Sequence, residues 1–176
     1  KDGKFSRSDT QLCLEVVDLD LYQTLNGFVK KAFEQYTSVY SGILQNNDPV
    51  STWTTKVQKT KAGGGYHQWH CENGQFLYRD RVLAWMVYLN TVNDGGGTSF
   101  DNYGFETKAQ EGALLIWPAF WTHFHHGVVS PTETKYIATG WYSYNSFLGV
   151  PCDRIDSIGI LNKGEEPPED AIVIER

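Results

Sequence analysis

The chain has 176 residues, of which 40% are hydrophobic and 20% charged, and its formal net charge is −6. This balance is typical of a folded globular protein, and the length suits one domain over residues 1–176. The acidic balance, without any basic block, argues against nucleic acid as the main partner. No apolar run approaches the roughly 20 residues that would cross a bilayer, so we expect no membrane span.

Cysteine usage and the first residues bear on the cellular compartment. Cys13, Cys71 and Cys152 are widely spaced and form no CxxC pair, which argues against a disulfide scaffold or a thiolate zinc site. The opening KDGKFSRSD lacks the charged-then-apolar pattern of a signal peptide. We therefore expect reduced thiols and a cytoplasmic location.

Residues 1–50 are expected to form an N-terminal arm and a helix. Leu12 to Val17 is a short apolar stretch that indicates an edge strand. Asp18 or Asp20 could then cap a helix. Beyond them, apolar residues recur at intervals of three and four and form one stripe, made of Leu21, Leu25, Phe28, Val29, Ala32, Phe33 and Tyr36. The stripe predicts a helix that packs against a sheet.

From about residue 50 the pattern changes to short strands separated by glycine-rich turns. Strands are predicted at 51–60, 66–72, 82–90, 113–117, 121–129 and 135–144. Short strands at even spacing are typical of a sandwich or jelly roll, so the fold class is mainly β with one helix (α+β). Residues 51–145 would form the core. Residues 146–176 would be a C-terminal extension with an edge strand at 171–174.

The segment His70-Cys71-Glu72 is the first candidate metal-binding pattern. Side chains two apart in a strand share one face, so an imidazole and a carboxylate would project side by side. A third ligand from a distant strand would complete a facial triad, which leaves three metal positions open, as in non-haem iron(II) oxygenases.

A second histidine cluster, at positions 123, 125 and 126, could supply that third ligand. His123 and His125 would share a strand face, so either could bind the metal. His126 and His67 would point to the opposite faces and are interpreted as structural or solvent-facing. Lys135 follows His125 by ten residues, where a cation would suit the distal carboxylate of a dicarboxylate co-substrate.

An ordered set of motifs over residues 60–145 resembles the prolyl 4-hydroxylase-like family of Fe(II)/2-oxoglutarate-dependent oxygenases. The motifs are Arg81–Asn90, Gly96-Gly97-Thr98-Ser99-Phe100, Gly112–Pro118, His125-His126-Gly127, Pro131, Lys135 and Trp141. The resemblance implies a double-stranded β-helix (jelly roll), with the N-terminal helix packed on the major sheet. It also implies Fe(II), 2-oxoglutarate and O2 as cofactor and co-substrates, and ascorbate as a reductant.

The family pattern implies a role for six side chains. The iron ligands would be His70, Glu72 and His125. His125 is selected over its neighbours because the family's third ligand precedes its basic anchor by about ten residues. Lys135 would anchor 2-oxoglutarate, the Tyr88 hydroxyl would help at the same carboxylate, and Thr98 would line the pocket. Arg81 is interpreted as a surface charge at a strand end, and Trp141 as core or pocket wall.

Two residues depart from the family pattern. Glu72 stands where the family has aspartate, so its reach is one methylene longer. Lys135 replaces arginine and would bind a carboxylate as a point charge rather than as a fork.

The reaction implied is hydroxylation of an unactivated C–H bond, with release of succinate and CO2. A prolyl residue in a peptide or protein is the implied substrate, recognised by loops such as 63–65, 73–79 and 101–109. A catalytically silent jelly-roll binding module, or a cupin-like metal enzyme without 2-oxoglutarate, is the alternative.

Overall fold

Two antiparallel sheets and one long helix make up the architecture. The computed structural model describes residues 8–45, 49–74 and 78–144. In chain order the elements are β1 (Thr10–Cys13), α1 (Leu14–Val17), α2 (Leu19–Val39), a 3-10 helix (Ser41–Leu44), β2 (Val50–Thr60), β3 (Arg81–Tyr88), β4 (Thr98–Phe100), a 3-10 helix (Asp101–Tyr103), β5 (Phe105–Glu106), β6 (Leu114–Pro118), a 3-10 helix (Trp121–His123), β7 (His125–Gly127) and β8 (Lys135–Tyr144).

The strands form a larger sheet of order β1-β2-β8-β3-β6 and a smaller sheet of order β5-β4-β7, and every pairing is antiparallel. Strand β3 lies inside the larger sheet, and its alternate residues serve two cores. Ala84 and Met86 face the smaller sheet and cluster with Phe100 of β4. Leu83 and Trp85 face the opposite side, towards α2. The two sheets therefore share one core, as predicted for a jelly roll.

Helix α2 covers the outer face of the larger sheet. Asp18 caps it, because its Oδ1 accepts a hydrogen bond from the Leu21 amide at 2.9 Å. Val29 is fully buried against the sheet, and the Phe33 ring stacks on Tyr142 of β8 with 4.2 Å between the ring centroids. The predicted packing of this helix is thus present. Within the described ranges, no helix is both long and apolar enough to cross a membrane.

Three strand predictions need correction. The N-terminal edge strand ends at Cys13, because the chain turns helical at Leu14 and buries that side chain. Residues 66–72 do not form a regular strand. His70 pairs with His125 in an isolated bridge, and the amide of Glu72 donates to Ala119 O. The pairing between the two segments therefore does not continue beyond His70 as a regular strand.

The third correction concerns residues 121–129. Residues 121–123 form a 3-10 turn, closed by a hydrogen bond from the His123 amide to Phe120 O, and the strand begins only at His125. The predicted strand at 171–174 and Cys152 lie outside the described residues. Cys13 and Cys71 are free thiols.

Gly140 of β8 packs so closely that we expect Gly140→Ala to destabilise the fold. An added Cβ would lie 2.4 Å from Thr54 O and 2.5 Å from Cζ2 of Trp85, a fully buried ring. Such overpacking should lower the free energy of unfolding by about 1–3 kcal/mol, measured by urea denaturation.

Gly27→Ala is the matched control. Gly27 lies within α2 with no atom within 4 Å of an added Cβ. Alanine there should raise the free energy of unfolding by about 0.5–1 kcal/mol. Equal effects of the two substitutions would contradict the close approach at Gly140.

Candidate metal centre and co-substrate pocket

His70, Glu72 and His125 converge on one point between the two sheets. The Nε2 atom of His70 lies 3.4 Å from Oε1 of Glu72, and Nε2 of His125 lies 3.6 Å from the same oxygen. One potential ligand atom from each residue lies within 4.8 Å of the others. Reciprocal backbone hydrogen bonds of 2.9 Å between His70 and His125 bring the two remote segments together.

The two imidazoles are oriented for metal binding by their other nitrogens. Nδ1 of His70 lies 2.8 Å from Gln68 O, and Nδ1 of His125 lies 2.8 Å from His123 O. A carbonyl oxygen only accepts, so each Nδ1 must carry the hydrogen, and in the neutral ring Nε2 offers its lone pair. Ligating histidines in metalloproteins are commonly held in this way. The donor set therefore fits a divalent cation.

The carboxylate of Glu72 uses its two oxygens for different partners. Burial raises the pKa of Glu72, but hydrogen bonds and charges from His125 and His70 outweigh burial and hold it well below its usual range. The second oxygen, Oε2, accepts hydrogen bonds from Trp141 Nε1 at 2.8 Å and Arg81 Nη1 at 3.3 Å.

A cavity of about 450 Å³ opens over the triad. It contains a buried cation, Lys135, whose side chain is only 9% exposed and whose Nζ donates to Gly96 O at 2.8 Å. Burial lowers the pKa of Lys135 to about 8. The walls of the cavity come from β2, β3, β4, β6, β7 and β8, and include Lys56, Thr98, Trp117, Ile137, Thr139 and Trp141. A small dianion could thus contact both the metal position and an ammonium group.

Tyr88 lies behind the cavity wall rather than in it. Its hydroxyl is fully buried, 3.0 Å from Oγ1 of Thr98 and 2.8 Å from Oγ1 of Thr107. Thr98 lines the cavity, so the Tyr88 hydroxyl is connected to the pocket by its hydrogen bond with the Thr98 hydroxyl. Thr107 was missed by sequence reasoning, since a lone threonine after a two-residue strand carries no distinctive signal.

His123 and His126 flank the candidate ligand His125 in the sequence. His123 belongs to the 3-10 turn, with Nδ1 3.0 Å from Thr122 Oγ1 and its ring 4.9 Å from that of Tyr103. Among the described residues, the group placed to hold a metal ion comprises His70, Glu72 and His125. The geometry therefore favours His125 over His123. His126 packs against Trp69, with ring centroids 4.2 Å apart, which fits a structural interpretation.

Two imidazoles and one carboxylate in an open jelly-roll pocket define the class of non-haem iron(II) oxygenases. Sequence comparison gives the same result at the level of the family. Residues 55–143 match the 2OG-Fe(II) oxygenase superfamily, and the chain belongs to that superfamily. No curated protein matches the chain significantly.

Solved prolyl hydroxylases have a similar fold. The viral collagen prolyl hydroxylase of Paramecium Bursaria Chlorella virus-1 superposes with a TM-score of 0.63 at 16% identity, covering 78% of this chain and 80% of that chain. A prolyl-4-hydroxylase of Pseudomonas putida gives 0.60 at 17% identity, covering 82% and 77%. A Trichoplax adhaerens prolyl hydroxylase, solved with a hypoxia inducible factor peptide fragment, gives 0.54 at 19% identity, covering 80% and 64%.

These findings confirm the predicted jelly roll, which is shared with solved prolyl hydroxylases, and the predicted membership of the Fe(II)/2-oxoglutarate oxygenases. The protein is a 2-oxoglutarate-dependent dioxygenase, with Fe(II) as its cofactor and 2-oxoglutarate and O2 as co-substrates. A role for ascorbate stays a prediction.

Proposed function

We propose that His70, Glu72 and His125 hold the catalytic iron, that Lys135 and Thr98 bind 2-oxoglutarate, and that the substrate is a prolyl residue in a peptide or protein. The observation that carries the proposal is the convergence of three ligand atoms within 4.8 Å of one another at a cavity that contains a buried lysine. Ferrous iron, when bound, supplies the oxidising chemistry that couples decarboxylation of 2-oxoglutarate to hydroxylation of a C–H bond.

The protein's own side chains bind and orient the co-substrate. Lys135 would donate to the distal carboxylate of 2-oxoglutarate, because its ammonium group has three hydrogens and Gly96 O accepts one of them. Thr98 could donate to the same carboxylate, because its hydroxyl can accept a hydrogen bond from the Tyr88 hydroxyl, 3.0 Å away, while its backbone amide donates to Oγ1 of Thr107. The apolar walls formed by Met86 and Ile137 would exclude water around the carbon chain of the co-substrate.

The prolyl substrate is supported by the fold and by the cavity wall. The similar structures named above are prolyl hydroxylases, and one of them was solved with a bound peptide. In this chain, the rings of Tyr66, Tyr78 and Trp141 line the cavity. Aromatic surfaces are the usual contacts of proline-rich peptides, so these rings suit a prolyl side chain.

An anaerobic titration with Fe(II) and 2-oxoglutarate tests the proposed centre. We expect a visible charge-transfer band in the wild type and none in Glu72→Ala, which controls for iron bound elsewhere. On admission of oxygen, a panel of prolyl peptides should stimulate succinate release, and mass spectrometry should find hydroxyproline.

Each negative result has a defined meaning. Metal binding without a band would indicate a metal enzyme that does not use 2-oxoglutarate. No metal binding would indicate a silent binding module. A band together with hydroxylation of a residue other than proline would refute only the substrate.

A further inference from the structure

We propose that Arg81 and Trp141 are positioning residues that hold Oε2 of Glu72, the oxygen that does not face the imidazoles. A glutamate can then serve as the metal ligand where a shorter aspartate is usual. The inference rests on the proposed metal centre. Neither residue needs to touch the metal ion, because both act through the carboxylate.

The contacts of Glu72 carry the first step. Its Oε1 atom faces the two imidazoles, while Oε2 accepts one hydrogen bond from the Trp141 indole and one from the Arg81 guanidinium. Glutamate has one more rotatable bond than aspartate, and fixing that bond costs conformational entropy. Two donors on the outer oxygen would fix the bond before a metal ion arrives.

The surroundings of Arg81 carry the second step. Its guanidinium carbon lies 3.7 Å from the ring centroid of Trp141 and 4.0 Å from that of Tyr78, so the planar group is held between two rings. The side chains of Arg81 and Glu72 are 17% and 15% exposed. At that burial, a charge-assisted hydrogen bond is stronger than at a surface.

The backbone carries the third step. In the pairing of β3 with β8, Arg81 opposes Ser143 and Leu83 opposes Tyr142, so Val82 is an extra residue and forms a bulge. Regular alternation would place Arg81 on the same face as Leu83, towards α2. The bulge turns it to the cavity face instead. Bulges next to active sites commonly redirect a side chain in this manner.

Metal affinity tests the inference without depending on turnover. The probe is Mn(II), whose affinity is read from the free-ion EPR signal, with thermal unfolding as the check on folding. Arg81→Met and Trp141→Phe should each weaken Mn(II) binding by about 10- to 100-fold, the range usual for residues that orient a metal ligand. Arg81→Lys keeps a donor and should recover part of the loss.

Lys59→Met is the matched control. Its Nζ lies 5.6 Å from the ring centroid of Tyr136, it is not a lining residue of the cavity, and the substitution leaves both hydrogen bonds to Glu72 in place. We expect unchanged Mn(II) affinity. If Arg81→Met and Trp141→Phe also bind Mn(II) like the wild type, the positioning role is refuted while the metal centre stands. If the wild type itself binds no Mn(II), the centre is refuted.

Glu72→Asp tests the link to side-chain length. Aspartate cannot reach both the imidazoles and the two donors, so Mn(II) binding should weaken at least about tenfold, as for loss of such a partner. In that background, Arg81→Met should have a smaller effect than in the wild type, because the contact is already lost. Wild-type affinity in Glu72→Asp, or fully additive effects, would refute the proposal.

Discussion

His125→Gln is expected to abolish the Fe(II)/2-oxoglutarate band and to reduce turnover by more than about 100-fold, whereas His123→Gln should keep both. The difference follows from position. His125 is 4% exposed and points Nε2 at Glu72 from 3.6 Å, while His123 lies in the 3-10 turn against Tyr103. Anaerobic visible spectroscopy and succinate release measure the two effects.

Glutamine is preferred to alanine because the His125 ring packs between Phe100 and Trp117, at centroid distances of 5.6 and 5.1 Å. Removing the ring altogether would leave a cavity and lower stability, which would confuse loss of folding with loss of a ligand. Thermal unfolding of both variants provides the control. Loss of the band in His123→Gln, with retention in His125→Gln, would overturn the ligand assignment.

The proposed ligand set could be named from the sequence because it depends on local spacing and on motif order. His70 and Glu72 are two residues apart, and His125 precedes Lys135 by ten. Hydrophobic periodicity likewise predicted α2, and strand β8 has the predicted bounds, Lys135–Tyr144. One stretch of chain contains the whole signal for the helix and for the strand, whereas joining His125 to His70 and Glu72 required the order of the motifs.

Arg81 shows what the sequence could not reveal. Its cavity-facing position depends on the bulge at Val82, which appears only when β3 is paired with β8. The contact between Trp141 and Glu72 joins residues 69 apart in sequence, and no local pattern encodes it. Tyr88 was expected at the carboxylate, but the structure places Thr98 between its hydroxyl and the cavity.

Lys135→Met should weaken 2-oxoglutarate binding by roughly 100-fold, since a lost hydrogen-bonded charge pair in a buried site costs about 2–5 kcal/mol. Methionine has nearly the same length and removes only the ammonium group. An anaerobic titration in the presence of Fe(II) measures the dissociation constant. An unchanged constant would show that another group anchors the distal carboxylate.

The pH dependence of binding gives a sharper test. Because burial lowers the pKa of Lys135 to about 8 in the unliganded protein, the ammonium is present below that pH and is lost above it. Wild-type affinity for 2-oxoglutarate should be flat below about pH 8 and fall by up to about tenfold per pH unit above it. Lys135→Arg stays charged throughout this range, so its affinity should lack that fall.

The lowered pKa of Lys135 predicts that stability changes with pH in the opposite direction to 2-oxoglutarate affinity. The pKa of Lys135 in the folded protein lies below the value of 10.5 for an unburied lysine. Burial of the ammonium group therefore destabilises the unliganded fold below about pH 8. This penalty disappears as the pH rises towards 10.5. The penalty is on the order of 3 kcal/mol. Lys135→Met should therefore unfold at higher urea than the wild type at pH 7, while binding 2-oxoglutarate more weakly. A variant that loses both stability and affinity would indicate that Lys135 supports the core rather than the co-substrate.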